Sequence, residues 1–291
     1  MIFKIRFQGL IFNLLALTLV TMSLLLPRLD ASTELFIFVI SVLALGVPHG
    51  ALDPIYARYL FAARGFAACI KFICSYVGMV LVVIISWQFF PILFLILFLV
   101  ASTFHFSGDP APGTPWLVRV LYGGAVIVLP TFNYSLEITR FFGYIVDANS
   151  AVYFVTVIRF LSWPWMIAIF ISVYMIYRRD CFTALELACY CILVLTVPPL
   201  ISFAAFFCVM HSARHAIRTQ QFSNLEWRQL VYTSLAPTSA VLFAALMIWF
   251  FTKDVPLEMR LVQLVVIGLA ALTAPHMLLI ERVRFSVLKT D

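Results

Sequence analysis

Four apolar runs, at 10–26, 35–47, 77–100 with a break at Pro91, and 240–251, decide which folds are open to this chain. A helix needs roughly 20 apolar residues to cross the hydrocarbon of a bilayer. Backbone groups in lipid must bond within their own segment, and these runs lack the alternation of barrel strands, so they read as helices. Composition agrees. The chain is 64% hydrophobic and 11% charged, with a mean hydropathy of +1.07, whereas a soluble protein carries about a quarter charged residues. The expected fold is all-α: one integral membrane domain over 1–291, a polytopic helical bundle of about 8–10 transmembrane helices.

Ten spans are predicted, at 10–27, 34–52, 67–88, 91–107, 116–133, 151–176, 183–197, 199–217, 229–251 and 257–281. Pro198-Pro199 forces a sharp turn or kink between the seventh and eighth, because proline lacks the donor a helix interior needs. Lys4 and Arg6 before the first run imitate a secretory signal. That run is longer than a signal core and no A-x-A-like site follows it, so it is read as a retained helix.

The net charge of +6 does not call for nucleic acid. In a multi-pass protein the placement of Lys and Arg reports topology first. With the N-terminus inside, the inner segments collect Lys4, Arg6, Arg58, Arg64, Lys71, Arg178, Arg179, Arg214, Arg218, Arg228, Arg282, Arg284 and Lys289. The outer loops collect Arg28, Arg140 and Lys253, with Arg260 near a boundary. This asymmetry is what the positive-inside rule asks for, and the expected location is the cell (inner or plasma) membrane. Arg214 is read as a topology charge or a phospholipid contact. Arg159, in mid-span, is expected to pair near a kink at Pro164, since an unpaired arginine there is costly. The cysteines show neither a zinc spacing nor a disulfide framework and read as small buried thiols.

The five histidines are His49, His105, His211, His215 and His276. All fall near the inner ends of even-numbered spans, at similar depth, an arrangement that scattered structural histidines have no reason to adopt. In a helix, residues four apart lie about 40° apart and roughly 6 Å along the axis. His211 and His215 can therefore face one point, as two ligands of one metal ion do. His49 and His105 are each followed four residues later by a carboxylate, Asp53 and Asp109. Such a carboxylate, accepting the non-ligating imidazole N–H, would fix the ring. Imidazoles without a cysteine cluster suit Fe, Zn, Cu or Ni.

The stretches "GVPHGALD" (46–53), "STFHFSGD" (102–109) and "MHSARHA" (210–216) resemble the three histidine motifs of the Brp/Blh family of bacterial and archaeal membrane β-carotene 15,15′-dioxygenases. Ser107 stands where that pattern often has Gly, and Pro54 where it often has a further His. The resemblance implies a non-haem Fe²⁺ enzyme that uses O₂ to cleave the central double bond of β-carotene into two molecules of all-trans-retinal. It places the iron ligands at His49, His105, His211 and His215. His276, in "TAPHMLL", echoes the Pro-His of the second span and is read as a fifth ligand or a supporting group, as are Asp53 and Asp109. The implied substrate resides among the membrane lipids, so its pocket should be apolar and open sideways. Phe104, Phe106, Phe206 and Phe207 are candidates for its wall. The metal site is expected toward the cytoplasmic side. The rival readings are a transporter or a proton or ion pathway built on intramembrane His and Asp, and a family member that cleaves another carotenoid.

Overall fold

The computed structural model describes residues 2–61 and 65–287. Arg64 and Lys289, counted above among the inner charges, lie outside the described residues, and so does the side chain of Arg284. The described residues form an all-helical bundle with no strand. Its elements are α1 (Ile2–Leu25), α2 (Ala31–Ser41), α3 (Val47–Gly50), α4 (Asp53–Phe61), α5 (Gly65–Phe89), α6 (Pro91–Phe106) and α7 (Trp116–Val128). The second half holds α8 (Pro130–Gly143), α9 (Ala148–Tyr177), α10 (Cys181–Thr196), α11 (Pro199–Ala205), α12 (Ala213–Ser223), α13 (Trp227–Phe251) and α14 (Leu257–Val287). Wide π turns at Val42–Gly46 and Phe206–Ser212 join α2 to α3 and α11 to α12.

Among the described residues, seven helices are long and apolar enough to cross a membrane, or eight if α7 and α8, bent by 47°, make one span. The predicted span at 116–133 covers α7 and the first residues of α8. Proline at 130 lacks the donor of a continuing helix, and the axis turns there. The predicted spans at 91–107 and 183–197 are helices α6 and α10 of 16 residues. Each is about 24 Å long, short of the roughly 30 Å of hydrocarbon in a bilayer.

Contacts fix which ends meet. Lys4 Nζ reaches Gln220 Oε1 at 3.4 Å, and Arg6 lies 3.9 Å from Asp180. The start of α1, the α9–α10 turn and the end of α12 therefore share one end of the bundle. Arg28 binds Glu137 through both Nη atoms at 2.7 and 2.6 Å, and Arg140 pairs with Glu258. The α1–α2 loop, α8 and the start of α14 share the other. This alternation matches the topology read from charge.

Glycine permits the closest helix approach. A Cβ on Gly123 of α7 would lie 2.0 Å from the Thr103 carbonyl oxygen and 2.7 Å from the Ser107 nitrogen of the α6 end. The α7 backbone thus seats directly against the turn that carries His105. Two expectations are corrected. Arg159 is exposed on α9 and makes no ion pair among the described residues; a long side chain on a lipid-facing surface can run toward the interface instead. Cys69, Cys74 and Cys181 are exposed, whereas Cys189, Cys191 and Cys208 are buried; Cys181 is the first residue of α10, in the turn after α9, where the chain has left the packed interior.

Candidate metal centre

The two π turns pack against each other near the end of the bundle where the chain starts. Gly46 makes this contact possible: a Cβ there would lie 2.5 Å from Cε1 of Phe207. π turns inside α-helices recur at functional sites because the extra residue re-aims the side chains that follow. Here the first is followed by His49 and the second contains His211.

The structure brings His49, His105, His211 and His215 together and adds His276. Their rings form a closed circuit. Centroid separations are 4.6 Å for His105–His211, 5.3 Å for His211–His49, 5.6 Å for His49–His215, 5.0 Å for His215–His276 and 5.3 Å for His276–His105. Nitrogen atoms of His49, His105 and His276 lie within 4.8 Å of one another, close enough to hold one ion.

Partners behind the rings set their tautomers. A carbonyl only accepts, so His49 Nδ1–H donates to the Gly46 oxygen, with Ser212 Oγ at 3.3 Å. His211 Nδ1–H donates to Asp109 at 2.9 Å, and His276 Nδ1–H to Asp53 at 2.6 Å. The Thr219 hydroxyl donates to the His215 carbonyl at 2.9 Å and lies 2.7 Å from the Tyr56 hydroxyl, so it receives His215 Nε2–H at 3.4 Å. Nε2 of His211 and of His276 is buried and has no hydrogen-bond partner. A buried polar atom without a partner costs about 1–3 kcal/mol, and a metal ion is the partner that lone pairs gathered at one place fit.

The carboxylates do not serve the histidines four residues before them. Asp53 holds His276 and Asp109 holds His211. The reason is local. The helix stops at Gly50 and again at Phe106, and turns at 51–52 and 107–108 swing each carboxylate toward a different helix. Burial alone would push the Asp109 carboxyl up, but the His211 imidazole and the Arg218 and Arg214 guanidiniums hold it below the usual carboxylate range.

Arg214 is also corrected. It is 1% exposed and so is no lipid contact. Its Nη atoms bind both oxygens of Glu186 at 2.8 and 2.7 Å, its Nε donates to Gln8 Oε1 at 2.9 Å, and Nη1 donates to the Asp109 carbonyl at 2.9 Å. Arg218 donates to the carbonyls of Gly108 and Asp109 at 2.7 and 2.9 Å. Two arginines of α12 thus grip the loop whose carboxylate orients His211. Sequence reasoning missed Glu186 and Gln8. A lone acid inside the apolar run of α10 was the available signal, since ionisable groups within spans mark function by default.

Phe106, Phe206 and Phe207 are buried beside the rings. Phe106 lies 4.9 Å from His211 by ring centroids, Phe207 stacks on His211 at 5.7 Å, and Phe106 meets Phe206 edge-on at 5.1 Å. Phe104 is 58% exposed on the outer side of α6 and is not brought to the cluster. A cavity of about 540 Å³ opens between α5 and α14, lined by Phe72, Tyr76, Met79, Pro275 and Leu278 among others. It reaches the chain position next to His276.

The profile of the family described as Beta-carotene 15,15′-dioxygenase matches residues 40–283. The chain belongs to this family. A curated relative from Uncultured marine bacterium 66A03, named Beta-carotene 15,15′-dioxygenase, is 29% identical over 251 residues, which is 82% of this chain and 90% of the relative. No solved structure matches. The span shared with the β-carotene 15,15′-dioxygenase family takes in all five histidines, both carboxylates and both arginines. It leaves out α1, whose Gln8 reaches in to Arg214 and also donates to the Val209 carbonyl at 2.7 Å.

Proposed function

We propose that this protein is a membrane carotenoid oxygenase that splits the central double bond of β-carotene with O₂ to give two molecules of all-trans-retinal. The observation that carries the reading is the convergence of imidazoles from separate spans in a chain of the dioxygenase family, with His49, His211, His215 and His276 each tied to protein through one ring nitrogen.

His49, His105, His211 and His215 would hold the iron. When bound, ferrous iron supplies the activation of O₂ that oxidative scission of a carbon–carbon double bond requires. The protein does the rest by placement. The Asp109 carboxylate, the Gly46 carbonyl and Thr219 keep the rings aimed inward, which also makes the imidazoles better donors. Phe106, Phe206 and Phe207 give an apolar surface beside the rings, suited to a hydrocarbon polyene and hostile to water. The substrate is a bilayer solute, and a site within the bundle receives it without passage through water. The charge distribution supports an orientation in the inner membrane with the site toward the cytoplasm. An ion or proton pathway needs polar groups strung through the bilayer's depth, whereas the buried histidines here are gathered at one place.

The test is expression in cells that accumulate β-carotene. Loss of orange colour with retinal appearing is expected, and His211→Ala abolishes both. Unchanged carotenoid in cells that hold folded, iron-replete protein overturns the reading.

A further inference from the structure

We infer that His276 is a fifth ligand of the same ion, held for that task by a relay that runs from Tyr76 through Asp53. The inference rests on the metal reading above and extends its ligand set from four imidazoles to five. His276 is 2% exposed. Its Nδ1–H donates to Asp53 Oδ1 at 2.6 Å, and the Tyr76 hydroxyl donates to Asp53 Oδ2 at 2.9 Å. Both carboxylate oxygens are thus occupied, and neither can rotate away from the imidazole without losing a bond.

The alternative is a structural histidine satisfied by Asp53 alone. The other face of the ring argues against it. Nε2 is buried and has no partner, and one nitrogen of His276 lies within 4.8 Å of nitrogens of His49 and His105, a group that fits one ion. The ring neighbours His49 at 5.5 Å, His215 at 5.0 Å and His105 at 5.3 Å. His276 also repeats the geometry of His211, which likewise donates Nδ1–H to a buried carboxylate and leaves Nε2 bare. Two rings held alike by buried carboxylates, each beside His49 and His105, share one role. Tyr76 is a positioning residue, since it reaches the ion only through Asp53 and His276.

Purified protein in detergent, titrated with Co²⁺, tests this without turnover. The wild type is expected to show the weak visible absorption of five- or six-coordinate Co²⁺. His276→Gly should give a stronger band of lower coordination and bind Co²⁺ more weakly, and free imidazole should restore the wild-type spectrum. Tyr76→Phe loses one hydroxyl, keeps the ring and should lower affinity about tenfold, the scale of outer-shell effects on metal sites. Wild-type binding with unchanged affinity and spectrum in both variants overturns this inference alone. Where His276→Gly does not fold, an unchanged Tyr76→Phe does so by itself. A folded wild type that binds neither Co²⁺ nor Fe²⁺ overturns the whole metal reading, and this inference with it.

Discussion

The two ends of the bundle use the same chemistry in opposite settings. At the end away from the histidines, Arg28 is 49% exposed over Glu137, and Arg140 is 52% exposed over Glu258. At the histidine end, Arg214 is 1% exposed over Glu186, which is itself 12% exposed. Exposed pairs gain little, because water screens them and two long side chains must be ordered. A buried pair carries a heavy desolvation cost, and removing one partner strands a charge. The outer pairs tie the α1–α2 loop to α8 and α8 to α14. The inner pair persists because the guanidinium has a further task, gripping the Asp109 carbonyl behind His211.

Three experiments sharpen or break this contrast, from the largest effect to the smallest. Glu186→Gln leaves Arg214 buried without its counter-ion, and an SDS-unfolding titration should show a loss of about 3–5 kcal/mol. A loss no larger than that of an exposed pair would erase the distinction between the two ends. Gly123→Ala presses a methyl against the α6 backbone two residues from His105, and should cost about 1–3 kcal/mol in the same titration. Co²⁺ affinity should fall with it; unchanged affinity would separate the helix packing from the site. Glu137→Gln at the other end should cost about 0–1 kcal/mol and leave Co²⁺ affinity as in the wild type.

The helices were legible because their signal is local. Runs of apolar residues located α5, α9 and α13 to within a few residues, and the shared depth of the histidines followed from their place in those runs. The partners behind the rings were not legible. Reading Asp53 with His49 assumes an unbroken helix, and Gly50 ends it. The grip on Asp109 joins Gln8, Glu186 and Arg214, which lie far apart in the chain. No periodicity reports such a meeting. Tyr76 gave no signal at all, being one interfacial aromatic among many. Among the described residues, α5 and α13 have none of their most apolar window buried, while the span from Pro199 to Ser223 has 61%. Hydropathy treats these helices alike, although two face lipid and one forms the centre of the bundle.

The π turn at Phe206–Ser212 has a consequence for how the chain tolerates change. A turn of this kind holds one residue more than its α counterpart. Deleting that residue would restore a regular helix and rotate everything beyond it by about 100°. Phe206 would keep its place while His215, Arg214 and Arg218 swung away from the histidine cluster and the Asp109 loop. The surplus residue acts as a phase shifter within one rod, letting its first half answer to aromatic packing and its second to the placement of the histidine and the two arginines.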